Sequence, residues 1–355
     1  MDWGHIQTIT KNVRVVDKFI QLSDKDKRAY FEVAAADLNV MPQLVEKDFW
    51  VCWILKILFS LPESGGHLTF KGGTSLSKCY EVIRRFSEDV DVSIERTFLS
   101  SEASIEPDKN ESNKENQRRL KRLQIACKEK ISNALLPELE KMVGGVLTGK
   151  KSWGLELDPK DALGQTVLFT FPHSLTSSVE SYVKSAVKIE FGSRADHWPV
   201  ENMTVTPYVT NVSGNVSIEG APVRVLAAER TFWEKATILH MIHNYPEGKN
   251  FPPRMSRHYY DLFAMGYTSI YKKSLEKIAL LKDVSDHKAL FFKANWAHYE
   301  EAKHGGLKLL PRGDQTSKLK TDYRQMQEMF FEEPPSFETI LERLKMVEKE
   351  INNLD

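Results

Sequence analysis

The spacing of apolar positions divides the chain into a helical start, a mixed middle and a helical end. Val13, Val16, Phe19 and Ile20 recur every three to four residues, the period of an amphipathic helix. Ser23, followed by Asp24 and Asp26, reads as an N-cap with acidic residues in the first turn of the next helix. Pro42 suits a first-turn position and opens a long helix over 43–61. Its polar head, Glu46-Lys47-Asp48, gives way to Phe49, Trp50, Trp53, Ile54, Leu55, Leu58 and Phe59. That end is apolar on most sides, so a domain should pack around it.

Gly65-Gly66 interrupts the helical pattern, and His67-Leu68-Thr69-Phe70 is a short β-type run ending at Lys71. Gly72-Gly73 follows at once, and helical spacing then runs over 74–85 through Leu76, Tyr80, Val82 and Ile83. Asp89-Val90-Asp91-Val92-Ser93-Ile94 alternates at period two, which predicts a strand with both aspartates on one face. The polar, Ser/Glu/Asn-rich segment 99–120 reads as a loop and 121–142 as a helix. Four β-type runs follow, at 166–171, 185–191, 203–209 and 215–218, punctuated by Pro172, Gly192, Pro199 and Gly214. Helices are predicted over 227–244 and from 256 to 265, and the remainder is mostly helical, with hinges at Gly305-Gly306, Pro311 and Pro334-Pro335. The fold class expected is α+β. An N-terminal helical region, 1–62, packs on a core over 63–225, and a C-terminal helical domain occupies 226–355.

Composition narrows the function. The 355 residues are 41% hydrophobic, enough to fill a core, which excludes a disordered or collagen-like chain. Lys plus Arg and Asp plus Glu both number 49, so contact with a polynucleotide must come from a local patch. The best such patch is Arg118, Arg119, Lys121, Arg122, Lys128 and Lys130. Cys52, Cys79 and Cys127 form no Cys-x-x-Cys pair and have no histidine at zinc-finger spacing, as expected of buried thiols in a reduced compartment. The first residues lack a basic and apolar leader, and the apolar run 49–61, broken by Lys56, is too short to span a bilayer. A cytoplasmic protein with no membrane contact is expected. No His-Glu-x-x-His, Gly-x-Ser-x-Gly or P-loop pattern is present, which argues against a zinc hydrolase, an α/β-hydrolase and a P-loop NTPase.

What remains is the stretch from Phe70 to Asp91. Carboxylates at Asp89 and Asp91 repel each other and are stable mainly with a cation between them; hard oxygen ligands of this kind suit Mg²⁺. Upstream, Gly72 and Gly73 let backbone N–H groups approach a phosphate, and Thr74 and Ser75 add hydroxyl donors at the start of the next helix. A Gly-Gly-Thr turn alone is most often only a turn, and an Asp-x-Asp strand is often a solvated edge. Their order as strand, glycine turn, helix and acidic strand points to phosphate and metal chemistry.

Phe70-Lys71-Gly72-Gly73-Thr74-Ser75-Leu76, followed by Arg85-Phe86-Ser87-Glu88-Asp89-Val90-Asp91, resembles the AbiEii-type nucleotidyltransferase toxins. These belong to the DNA polymerase β-like nucleotidyltransferase superfamily, which includes the MenT toxins. Glu46-Lys47-Asp48-Phe49-Trp50, Lys188-Ile189-Glu190-Phe191, Arg230-Thr231-Phe232-Trp233-Glu234-Lys235 and Arg257-His258-Tyr259-Tyr260-Asp261-Leu262 extend the similarity over about 40–270, and Asp322-Tyr323 and Met326 fit it as well. The resemblance implies a polymerase β-like core of mixed sheet and helices. It also implies Mg²⁺ or Mn²⁺ on Asp89 and Asp91, with Glu190 as the third carboxylate, and an NTP held by Lys71, Gly72, Gly73, Thr74, Ser75 and Arg257. Ser87, Lys235 and Asp261 match further catalytic positions, Lys235 as a phosphate contact. The NMP would pass to an acceptor hydroxyl, at the 3′ end of tRNA. Such an enzyme is the toxin of a type IV toxin–antitoxin or phage abortive-infection system, beside a separately encoded antitoxin. The chain departs from the superfamily in its long spacer before Asp89 and in having Glu rather than Asp at 190. Two other readings stay open: a nucleotide-binding or partner-binding module without turnover, and transfer of a nucleotide to a protein hydroxyl.

Overall fold

The computed structural model describes residues 18–100, 105–149, 152–175, 186–212 and 218–354. Val13 and Val16 of the first predicted stripe lie outside them, while Phe19 and Ile20 are buried. Helix α1 (Asp24–Leu38) starts as expected, with Ser23 Oγ accepting the Asp26 N–H at 3.1 Å. Helix α2 (Pro42–Phe59) is buried from Leu44 to Leu58, because it is the pillar on which the sheet rests. Trp50 stacks on Phe171 at 5.6 Å and Trp53 on Phe169 at 5.6 Å, which locks the pillar to one flank of that sheet.

Strand β1 (Leu68–Lys71) leads directly into α3 (Gly72–Lys78), and the chain returns through β2 (Val90–Ile94) and the single turn α4 (Arg96–Leu99). Helices α5 (Asn113–Lys130) and α6 (Leu136–Val146) are joined by a π turn, Ile131–Leu135. Then come β3 (Gly154–Leu157), β4 (Thr166–Thr170), β5 (Ala186–Gly192), β6 (Val200–Val205) and β7 (Ala221–Leu226). The seven strands form one sheet in the order β3-β4-β5-β2-β1-β7-β6. It is mixed: β2–β5 and β1–β7 are parallel and the other pairs antiparallel. The expected α+β class is therefore the class of the structure.

The rest is helical: α7 (Ala228–His243), α8 (Ser256–Met265), α9 (Ser269–Glu276), α10 (Ala279–Phe291), α11 (Gly313–Gln325) and α12 (Phe337–Asn352). Buried apolar side chains fall into two main clusters. One joins the early helices to the sheet through Phe49, Phe70, Val92 and Ile189; the other joins the late helices through Phe232, Tyr259, Leu262 and Leu344. Leu76 and Ile83, from the segment between β1 and β2, belong to the second cluster. That segment is thus packed between the sheet and the late helices.

Several elements differ from the sequence pattern, each for a physical reason. The helix expected over 74–85 stops at Lys78, Glu81 turns the chain with φ 53°, and 84–86 runs extended. Phe86 N–H donates to the Met329 carbonyl at 2.6 Å and Arg85 bridges Phe330, so a distant segment supplies the hydrogen bonds a helix would have made. The loop expected over 99–120 gives way to α5 at Asn113, capped by Ser112 Oγ on the Glu115 N–H at 3.2 Å. The strand expected over 203–209 is β6, shifted to Val200–Val205 and ended at Pro207. The strand expected over 215–218 falls partly on residues outside the description, and Ile218 is not in a strand. Its place is taken by β7, whose Pro222 disguises it. Pro222 faces Thr204 of β6, and β1 meets β7 farther along, at Val225, so the missing N–H costs little. Cys52, Cys79 and Cys127 are buried free thiols. Among the described residues no helix is long and apolar enough to cross a membrane.

Candidate active site

The site begins where β1 turns into α3. Gly72 has φ +83°, and a Cβ on it would collide with the Asp91 carboxylate. A Cβ on Gly73 would lie 2.9 Å from both Arg85 Nη2 and Ser87 Oγ. Both glycines are therefore required by close approach, and Gly72 also by its backbone. The hydroxyls of Thr74 and Ser75 point inward. Thr74 Oγ1 lies 2.9 Å from Ser87 Oγ and donates to the Asp89 carbonyl; Ser75 Oγ donates to the Gly72 carbonyl at 2.9 Å. Both side chains are fully buried and tie the turn to the acidic strand.

Sheet register sets the acidic row. Lys71 of β1 pairs with Asp91 of β2, and Asp91 pairs with Glu190 of β5. Asp89 lies two residues before Asp91, on the same face by strand alternation. Burial pushes the Asp91 carboxyl up to about 6, with Glu190 and Asp89 adding to the rise and Lys71 and Arg257 opposing it. Asp89 is raised as well, by burial first and then by Glu88, against Arg254 and Arg257. Glu190 is ion-paired with Lys188 on its own strand. Three hard carboxylate donors, two of them held above their ordinary range by burial and mutual repulsion, fit a divalent cation. They are spread rather than closed. Among the described residues, the one group of three or more His, Cys or carboxylate side chains with ligand atoms within 4.8 Å of one another is His298, Glu300 and Glu301 at the surface.

The facing wall comes from the late helices. Asp261, on α8, is fully buried and accepts from Arg85 Nε and Nη2, each at 2.8 Å, and from Lys235 Nζ of α7 at 2.7 Å. Despite the opposing effect of burial, Arg85 and Lys235 hold the Asp261 carboxyl well below the usual carboxylate range. Burial draws Lys235 below the usual lysine value, with Asp261 opposing. Arg257 lies one turn before Asp261, and its buried Nε has no partner among the described residues. Arg254 is exposed, with φ 61°. Its N–H donates to Asp322 Oδ1 at 2.6 Å, while the Ser256 N–H and Oγ donate to Asp322 Oδ2 at 2.8 and 2.6 Å. Asp322, on α11, therefore caps α8 from a different element. Arg85, Arg254, Arg257 and Asp322 share a small cavity with Met326 and Met329.

The fold thus brings Lys71, Gly72, Gly73, Ser87, Asp89, Asp91 and Glu190 onto one wall, and Lys235, Arg257 and Asp261 onto the other. Arg254 was not singled out by the sequence, and neither the pairing of Arg85, a member of the motif, nor the capping role of Asp322 was read from it. Asp322 was visible only as a position of similarity, since a cap supplied across the fold leaves no local pattern. Part of the basic patch on α5 is paired within the helix and the segment before it. Arg118 and Arg119 pair with Glu115 at 2.8 and 3.3 Å, Arg119 also with Glu111 at 2.6 Å, and Lys130 sits over the Phe98 ring at 4.1 Å.

A family model described as the nucleotidyl transferase AbiEii toxin of a type IV TA system matches residues 53–343. The chain belongs to this family. It is a nucleotidyltransferase, of a family of toxins from toxin–antitoxin systems. The match runs from Trp53 on α2 to Arg343 on α12, so both walls of the site lie inside it. No curated protein matches the chain. Among solved structures, MenT4, a nucleotidyltransferase toxin of Mycobacterium tuberculosis, is similar at 15% identity over 92% of this chain and 90% of its own, with a TM-score of 0.47. JHP933 of Helicobacter pylori is similar at 14% identity over 88% and 93%, with a TM-score of 0.40.

Proposed function

We propose that this AbiEii-family enzyme transfers an NMP from an NTP to an acceptor hydroxyl at the 3′ end of tRNA, using Mg²⁺ or Mn²⁺, as the toxin partner of a separately encoded antitoxin in a type IV or phage-defence system in the cytoplasm. The observation that carries the metal-dependent chemistry is the row Lys71–Asp91–Glu190 across three strands, with Asp89 on the same face and the Gly72-Gly73 turn against Asp91. The tRNA acceptor and the defence role rest on the family resemblance. Asp89 and Asp91 would hold the metal, and Glu190, now paired with Lys188, would be the third carboxylate. A bound divalent cation would neutralise phosphate charge and favour the acceptor alkoxide. The backbone at Gly72 and Gly73, with Lys71, Arg254 and Arg257 as counter-charges, receives the triphosphate. Lys235 presents its ammonium to phosphate from the opposite wall, and Asp261 keeps Lys235 and Arg85 charged and in place. Ser87, beside Gly73, orients the turn and the substrate. The acceptor hydroxyl gives its proton to water, and its oxygen bonds to the α-phosphorus as the bond to pyrophosphate breaks. In this reading 63–225 carries the carboxylates, 226–355 the cationic wall and 1–62 the support.

Incubation with each labelled NTP, Mg²⁺ and total RNA tests the reaction. Label on RNA is expected, and its loss in both Asp89→Ala and Asp91→Ala. Label retained in both variants overturns the assignment. Label on protein would favour the protein-hydroxyl reading, and binding without transfer a silent module.

A further inference from the structure

Glu46, Lys47 and Asp48 take no part in the reaction above, although they form a motif of the sequence. Each is only 2% exposed, on the first turns of the central helix α2. Three consecutive charges in a protein interior carry a heavy desolvation cost, and buried pairs can often be replaced by apolar groups without loss of stability. Here each charge grips a different part of the site's frame. Glu46 Oε1 accepts the Ser174 N–H at 2.5 Å, in the chain after β4. Lys47 Nζ donates to Glu88 Oε2 at 2.7 Å, and Glu88 is the residue before Asp89. Asp48 Oδ1 accepts from Lys78 Nζ at 2.7 Å, while Oδ2 accepts the Tyr208 N–H at 2.7 Å. Lys78 is the last residue of α3, whose other end is the Gly72-Gly73 turn, and its ammonium also sits 3.4 Å from the centre of the Tyr208 ring. The turns that carry these charges continue into Phe49, Trp50 and Trp53, which are anchored in the apolar core.

We infer that Glu46, Lys47 and Asp48 are positioning residues for nucleotidyl transfer. Lys47 sets the place of Asp89 through Glu88, and Asp48 sets the Gly72-Gly73 turn through Lys78. The metal strand and the phosphate turn are thereby referenced to one rigid helix, which keeps them in register with each other. Small misplacements of reacting groups are expensive in rate, so a device of this kind acts on turnover more than on folding. The inference rests on the transferase reaction assigned to the family and on the metal role proposed for Asp89.

The test is the double variant Lys47→Met/Glu88→Met, which removes both charges together, compared with Lys47→Arg and Asp48→Asn. The double variant is expected to melt at or above the wild-type temperature. Its kcat should fall at least about tenfold, with KM for the NTP within about twofold, because the change falls on the placement of Asp89 and the charge beside it and leaves the phosphate turn alone. Asp48→Asn should raise KM by about fivefold with kcat little altered, because it loosens the phosphate turn. Lys47→Arg, which keeps the charge, should restore most of kcat. Wild-type kcat in the double variant overturns the inference and leaves the reaction itself standing. So do parallel losses in all variants that follow melting temperature alone. Should the wild type transfer nothing, Mn²⁺ titration still decides. The half-saturating Mn²⁺ concentration is expected to rise at least about fivefold in the double variant, and an unchanged value overturns the inference.

Discussion

Asp91 is the residue on which the charges of the site converge. Its carboxylate abuts a glycine that has no room for a side chain, shares a face with Asp89, and pairs in register with Glu190. Its carboxyl titrates at about 6 in the folded chain, against about 4 in an unfolded one. In that interval the folded chain holds the extra proton, so the metal-free protein should lose stability as pH rises from about 4 through 6. A divalent cation competes with that proton, and the stabilisation it gives should grow over the same range. Melting curves from about pH 5 to about pH 7, with and without Mn²⁺, should show a metal-induced shift that increases with pH and disappears in Asp91→Asn. A shift independent of pH would contradict the carboxylate as ligand. The two aspartates were legible because a period-two alternation of acid and apolar side chains admits few other structures. The inward direction of the Thr74 and Ser75 hydroxyls was not. It depends on how α3 packs against the strand, which spacing alone does not specify.

At the scale of elements, the cationic wall depends on α8, which begins with no cap of its own. Met255, at the cap position, offers no side-chain acceptor, and Asp322 of α11 fills the role. Asp322→Ala should cost about 1–2 kcal/mol of stability, the usual range for a lost cap. It should also raise KM for the NTP more than it lowers kcat, since Asp322 holds Arg254, just before the helix, and the first turn that carries Arg257. Denaturant unfolding and initial-rate kinetics on one preparation check both parts, and an unchanged KM would show that the arginines do not need the cap. Helix α1 was readable from its Ser23 cap and α2 from Pro42 and the apolar run behind it, and α7 and α8 fall where helices were expected. The end of α3 and the start of α5 were missed for opposite reasons. Arg84 and Arg85 were taken from helix by partners at 330–331, while α5 opens with a local cap on a stretch too polar to suggest a buried face. Strand β7 hid behind a proline that only its place in the sheet makes tolerable.

Taken as a whole, the molecule has no net charge, yet its charges are sorted. Carboxylates line the end of the sheet, and Arg254 and Arg257, at the start of α8, act on them from the other side, with the Gly72-to-Asp91 segment wedged between two apolar cores. Such a division focuses an anionic substrate and its cation onto a narrow seam without an overall basic surface. The seam was visible in sequence as a motif, but the second wall was visible only through resemblance. The pairing of Arg85 with Asp261 spans the fold and leaves no local trace. The most direct measurement is a crystal structure with Mn²⁺ and a non-hydrolysable NTP, the metal located by its anomalous scattering. Anomalous density on the carboxylates of Asp89 and Asp91, with the triphosphate along Gly72 and Gly73, is the expected result. Density confined to another site, such as His298, Glu300 and Glu301, with both aspartates free of metal, would contradict the account.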